Sequence, residues 1–548
     1  MSAIQRWHRA VDIRSLLVFR IGLGLYLCYD VVSRLWPARS SIAWYIADNN
    51  ALLEESDSPH GNVIHKLWFA RTSMEFQVFL FIATFLSSFF LLVMGKLSDR
   101  PIFSLILWIL VVSMQHRCMH VHDGSDNFTR QLLLWWILLP NSVHEKLRNI
   151  EEWLKISTKK KSPLSSSTNY NNRISNLATT GMLLQISLMY LGTVSKRTID
   201  TGFRGEWLPP FHAVWYVIRD SFAIRETFLL DYLRSLDVRW TQAMTIHAML
   251  AESSAIVWFF VPASSSLRWY GFFILFTLHL GLLLVTRLPN WQCIGMIASV
   301  LWIPTSSWNK LWPLRDVLGV RKKTDSAIPD TDELEEIATS TGTNDGLIST
   351  NASKISIKGN NGIVRSVLTW FFFSYMLYNF AGERKWIRKH DGGDIGEFFR
   401  ISQFWVMYAT PPKVSTLTTI VGYNANKEDE TTKDETIGTN EMWVDVMKGL
   451  KRNEWKWQRF NDDTTSLATF ISPRWERALS QWGSSHPEKR RARNLLKGLC
   501  ENWIPTNISK LELTWSHYRI VSPNTRDRKQ GKQRWIPLDK SIIHVNCN

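Results

Sequence analysis

Phe76–Lys96 reads FQVFLFIATFLSSFFLLVMGK and carries no charge before its last residue. A hydrocarbon core about 30 Å thick asks for about 20 such residues in a helix rising 1.5 Å per residue. Outward from it the same composition recurs at about 13–36, 101–118, 127–143, 177–195, 241–262, 269–286, 288–305 and 364–381. With Phe76–Lys96 these make nine expected spans, of which the fourth and eighth are short and open to a re-entrant reading. Tryptophans stand at the ends of many runs (Trp36, Trp68, Trp207, Trp240, Trp269, Trp291, Trp302). That is where an indole is half buried at headgroup level while its N–H finds a partner.

Polar sequence dominates after residue 382. The expected fold is therefore an all-α polytopic membrane bundle of about nine transmembrane helices over 1–381, followed by a small α+β soluble domain over 382–548. In the tail, Leu511–Val521 alternates apolar and polar residues and predicts a strand. Ser472-Pro473 predicts the start of a helix, and Pro487 a second running through Cys500. Segments 157–174 and 322–360 hold too few apolar residues to offset chain entropy and are expected to be disordered; the polar insert 424–440 has the same character.

The formal charge of +16 belongs to the loops. Lys159-Lys160-Lys161 and Arg321-Lys322-Lys323 flank apolar runs, and no zinc finger, RNP-type motif or base-reading basic helix accompanies them. The partner they imply is a lipid membrane and not nucleic acid. Basic residues are retained on the cytosolic side. Lys96–Arg100, 144–175 and 306–363 then all fall on the side of the N-terminus, and an odd count of spans leaves the tail lumenal or extracytoplasmic. In a eukaryote this implies the endomembrane system. MSAIQRWHRAV precedes the first run without a small-residue cleavage site, so that run is expected to be retained. Asn507-Ile508-Ser509 is a glycosylation sequon for a lumenal tail, Asn351-Ala352-Ser353 is expected to stay bare in the cytosol, and Asn127-Phe128-Thr129 is too near the bilayer. Of the five cysteines, Cys28, Cys118 and Cys293 lie in apolar runs, while Cys500 and Cys547 can pair if the tail is extracytoplasmic.

Ionisable groups at membrane depth are costly and mark cavities or pairs. Arg20 is deep enough in the first run to need a partner, and Glu252 and His279 are mid-span. Lys196 ends the fifth span in LQISLMYLGTVSK; it reads either as an interfacial lysine snorkelling to headgroups or as a base in a low-dielectric pocket. His279 reads either as a hydrogen-bonded packing residue or as part of a site with Lys196. His116, His120 and His122 form the densest imidazole group, and the four-residue spacing of His116 and His120 can hold a transition metal, although di-iron membrane enzymes need several such boxes. GxxxxGK[ST], GxSxG and HExxH are absent, so nucleotide, serine-hydrolase and zinc-protease readings have no starting point.

Arg14–Asp30 (RSLLVFRIGLGLYLCYD) resembles the opening helix of the horizontally transferred transmembrane (HTTM) family, relatives of vitamin K-dependent gamma-carboxylase. Similar stretches follow in order: Asp123–Pro140, Leu184–Lys196 with Trp207, Leu250–Ser254 with His279, Ile401–Pro412, Ser472–Trp475 and Leu499–Trp503. The resemblance implies a lysine at a helix end that deprotonates reduced vitamin K or another quinone, and Lys196 matches it. It implies a histidine in the same active-site region, matched by His279. The family's neighbouring lysine is Ser195 here, and a histidine at the start of span four is replaced by Asp126. A carboxylate there would repel a carbanion that an imidazolium would stabilise. The implied function is a quinone- or lipid-linked enzyme acting on a lumenal protein or lipid. Two alternatives stand beside it: a non-catalytic scaffold that binds a lipid or partner, and a His-box metal-dependent oxidase.

Overall fold

The computed structural model describes residues 9–35, 68–69, 72–96, 100–117, 124–157, 173–219, 227–286, 289–308, 361–388, 414–424, 442–445, 458–459, 492–493, 496–497, 500, 508–520 and 535–547. Most of them are helical. Among the described residues, five helices are long and apolar enough to cross a membrane, as expected of a membrane protein. These are α1 (Ile13–Leu35), α2 (Met74–Ser87, continued by a π-helix over Ser88–Val93), α6 (Leu177–Thr198), α9 (Val238–Phe260) and α10 (Arg268–Val285). Helices also cover the remaining expected spans: α3 (Pro101–His116), α4 (Gly124–Leu138), α11 (Pro289–Ser299, with a 3-10 turn over Val300–Trp302) and α12 (Asn361–Glu383).

Local chemistry sets the ends. α3 opens on Pro101, whose missing N–H is no loss in a first turn. α6 opens with a capping box: Asn176 Oδ1 accepts from Thr179 N at 2.9 Å, and the Thr179 hydroxyl accepts from Asn176 N at 3.1 Å. In α2 the hydroxyls of Thr84 and Ser88 donate to the carbonyls of Leu80 and Thr84, both at 2.7 Å, just where the helix loosens to π geometry. The π segment packs against α1 at Gly24, where a Cβ would come within 2.7 Å of Leu92 Cβ. Small residues at such crossings let helix backbones approach closely.

A short antiparallel pair, β1 (Ala10–Asp12) with β2 (Arg173–Ser175), joins the start of α1 to the start of α6. This corrects part of the expected disordered segment 157–174: Arg173 and Ile174 are ordered by pairing with Asp12 and Val11. Arg268 closes the same end by donating to the carbonyls of Ala10 and Val261, both at 3.0 Å. The loop expected after the fourth span instead begins with helix α5 (Asn141–Ser157), which buries Val143 and Leu147 and carries Glu151. Glu151 is the ion-pair partner of fully buried Arg20.

In the tail, β3 (Val414–Asn424), β4 (Met442–Asp445), β5 (Gln458–Arg459), β6 (Ile508–Ile520) and β7 (Trp535–Asn546) form an antiparallel sheet in the order β5-β4-β3-β6-β7. The strand expected over Leu511–Val521 is β6. Its alternation buries Leu511, Leu513 and Trp515, and the paired strand buries Ile543 and Val545. Cys500 and Cys547 form a disulfide across 47 residues of sequence. The helix expected from Ser472, the sequon at Asn507 and the segments 322–360 and 425–440 lie outside the described residues.

Glu151→Ala strands a buried guanidinium and is expected to lower stability by roughly 3–5 kcal/mol. Replacing both partners with apolar residues is expected to cost much less. Unfolding of the detergent-solubilised protein checks both; equal costs refute a buried pair.

Candidate functional site

Polar side chains converge where α6 ends and α11 begins. On α6 the Tyr190 hydroxyl lies 2.5 Å from His279 Nε2, and His279 Nδ1 lies 2.7 Å from Gln292 Oε1. Gln292 Oε1 only accepts, so Nδ1 is the donor in that bond. The imidazole is thus held at both ring nitrogens among α6, α10 and α11. All three residues are buried. The site also needs Gly295, because a Cβ there would overlap the His279 ring.

One residue before Gln292, the Trp291 ring packs against Phe128 at 5.9 Å and His279 at 6.4 Å between centroids. One residue earlier, Asn290 Nδ2 donates to Asp30 Oδ1 at 3.2 Å. Asp30 in turn accepts from Arg34 Nε at 3.0 Å, and Arg34 Nη2 reaches Asp126 Oδ1 at 2.5 Å. Asp126 is therefore a fully buried carboxylate paired with a guanidinium. It is joined to the His279 group through Arg34, Asp30 and the three-residue run Asn290–Gln292.

Lys196 Nζ pairs with Asp200 Oδ2 at 3.0 Å, and its side chain is 18% exposed. Arg384, just after α12, approaches the other oxygen of Asp200 at 3.8 Å. Six residues separate Lys196 from Tyr190, which turns its side chain roughly 120° around α6 from the face that meets His279. Arg197, seven residues on, returns to within roughly 20° of that face. It is buried, pairs with Glu252 of α9 and holds its guanidinium 3.7 Å over the Trp207 ring. Of the expected site residues, His279 is hydrogen-bonded at the centre, Asp126 belongs to the adjoining ionic group, and Lys196 stands at the partly exposed rim. Tyr190, Arg197 and Gln292 were not singled out as site residues from sequence. The available signal was polarity within an apolar run, and for Arg197 the seven-residue spacing from Tyr190.

His116 is buried at the end of α3, whereas His120 and His122 lie outside the described residues. Among the described residues no group of three or more His, Cys, Asp or Glu is placed to hold a metal ion. No family model, curated protein or solved structure matches this chain.

Between α6 and α9, His212 Nδ1 lies 3.7 Å from Glu206, and its Nε2 lies 3.3 Å from Gln242 Nε2. Burial pushes the His212 pKa below its usual 6.5, and the Glu206 carboxylate opposes this in part. The fold thus prefers the neutral ring. Its contribution is present above pH 6.5 and is lost as pH falls through the lowered pKa. Stability should decline on acidification below that point, and His212→Gln should flatten the decline; an unchanged pH slope refutes the assignment. Gly295→Ala should cost about 1–3 kcal/mol through overpacking, and far less once His279→Ala has vacated the space. Thermal unfolding of the single and double variants measures the difference, and equal costs in both backgrounds exclude the contact.

Proposed function

We propose that this chain is an HTTM-type integral membrane protein, related to vitamin K-dependent gamma-carboxylase, in which Lys196 serves as a base toward a quinol or lipid-linked substrate. The observation that carries the reading is the position of the Lys196 amine. It lies at the end of a long apolar helix, partly exposed, in contact with a carboxylate and one residue from the buried Arg197–Glu252 pair. An amphiphile whose tail lies along the helix would bring its polar head to that point.

A bound quinol supplies an acidic hydroxyl and a redox couple. Lys196 must first leave Asp200 and release a proton to water at the partly exposed rim, because an ammonium has no free electron pair with which to take another. Once it has taken the proton, Asp200 receives its hydrogen bond, with Arg384 balancing the carboxylate. His279, held between Tyr190 and Gln292, is a positioning group one and a half turns deeper. Asp126 shares the Arg34 guanidinium with Asp30, so part of its charge is met inside the bundle.

The proposed topology has nine crossings, a cytosolic N-terminus and a lumenal or extracytoplasmic tail. Contact of Asp30 and Arg34 with Asp126 and Asn290 supports it, since the end of α1 then meets the starts of α4 and α11. Asp200 likewise joins the ends of α6 and α12. A disulfide in the tail fits an oxidising compartment. A second reading, non-catalytic binding of a lipid headgroup or partner, is favoured by the Lys196–Asp200 ion pair at the rim.

Reconstituted liposomes supplied with reduced quinones separate the two. Lys196→Ala is expected to lose turnover by at least about a hundredfold, the usual range for a general base. Turnover equal to that of the unaltered protein removes the base and leaves the binding reading.

A further inference from the structure

Between the short helix α7 (Ala213–Val217) and α9 lies α8 (Phe228–Ser235), sequence FLLDYLRS. Thr227 caps it by accepting from Leu230 N at 3.3 Å. Its inner side is firmly held. Leu230 is fully buried against Ile218, Arg234 Nε donates to the Ile218 carbonyl at 2.8 Å, and Arg219 Nη2 donates to the Arg234 carbonyl at 2.9 Å. Arg219 in turn lies 3.4 Å over the Trp215 ring. These reciprocal arginine–carbonyl bonds fix which face of α8 points outward.

That face is uncovered, and its largest side chains are aromatic. Phe228 is 88% exposed and Tyr232 55%, one turn apart, while Asp231 and Ser235 occupy the adjoining sector. A helix with an aromatic sector beside a polar one matches the layer between hydrocarbon and water. α9 follows directly in the chain, starting two residues later at its Asp237 cap. Trp240, in the first turn of α9, is exposed at the height where indoles meet headgroups, and Leu250 and Val257 follow on the outward side of that helix. The charges nearby, Asp231, Arg234, Asp237 and Arg239, balance in sign. Zwitterionic lipid therefore suits this surface better than a charged protein partner would.

We propose that α8 is an interfacial helix lying in the headgroup layer of the membrane, with Phe228 and Tyr232 inserted among the lipids. This rests on the reading of α9 as a crossing helix. It adds a membrane contact at the headgroup layer, in the connection between α6 and α9.

The test uses the full chain in phosphatidylcholine nanodiscs, with Cys28, Cys118 and Cys293 replaced by Ser. A single environment-sensitive fluorophore is attached through Phe228→Cys, Tyr232→Cys or, as a depth reference, Leu250→Cys. Quenching is compared between lipids bearing a doxyl group near the headgroup and near the chain end. The expected result is blue-shifted emission at 228 and 232, quenched more by the shallow group, with the label at 250 quenched more by the deep one. If 250 is quenched by the deep group while 228 and 232 emit as in water, or are themselves quenched mainly by the deep group, the interfacial helix is wrong and the crossing of α9 stands. If 250 is quenched by neither, the crossing itself fails and the proposal falls with it.

Discussion

An ionisable side chain inside an apolar helix bundle must bring its counter-charge with it, and much of the arrangement follows from that constraint. Three guanidiniums are met by carboxylates from other helices: Arg20 by Glu151, Arg34 by Asp126, and Arg197 by Glu252. Each pair ties segments far apart in sequence. Sliding a helix by one residue turns its side chains by roughly 100° and shifts them 1.5 Å, enough to part every pair it carries. Replacing such a pair with well-packed apolar residues is often neutral or stabilising, so their value lies more in fixing which helices meet and in what register. Arg34 is held twice, by Asp30 one turn earlier on α1 and by Asp126 on α4, so α1 is registered at both ends.

The run Asn290-Trp291-Gln292 turns this register into a site. Consecutive residues on a helix point about 100° apart, so three in a row can address three neighbours. Asn290 reaches Asp30 on α1, Trp291 fills the space between Phe128 and His279, and Gln292 holds the imidazole. The ionic group that positions α1 against α4 is thereby linked to the hydrogen bond that holds His279. A rearrangement at Asp126 has a short physical route to the histidine through one rigid helix turn.

The helical segments were legible because hydrophobic runs set their length, and each run contains a helix within a few residues of its expected ends. Arg20 was legible as a group needing a partner, but the partner was not, because Glu151 lies on α5, a helix whose average composition is polar. Amphipathic helices between spans carry a weak hydropathy signal even when one face is fully engaged. α8 is illegible for a different reason: eight residues are too few for a span or a clear helical period. β2 was read as disorder because three residues in a polar stretch give no period, and their order comes from pairing with Ala10–Asp12. At the site the chain order was misleading. Lys196 and His279 were grouped by their spans, whereas helical phase gives the histidine-facing side of α6 to Tyr190 and Arg197.

The distribution of polarity supplies an argument for a membrane that does not depend on counting apolar residues. On α9 the buried positions include Thr241, Thr245, Ala248, Ala251, Glu252 and Ala255, while Trp240, Ile246, Leu250, Val257 and Phe260 are exposed. α1 buries Arg14, Arg20, Asp30 and Arg34 and exposes Leu25, Tyr29 and Val32. On α10, His279 and Arg268 point inward, while Tyr270, Phe273 and Leu284 point outward. In water such surfaces would form apolar patches far larger than a soluble monomer tolerates. Surrounded by hydrocarbon they cost nothing, and the polar residues gain from turning inward, where partners are available. A bundle that turns these charges inward and large apolar side chains outward along α1, α9 and α10 is shaped for a lipid surround.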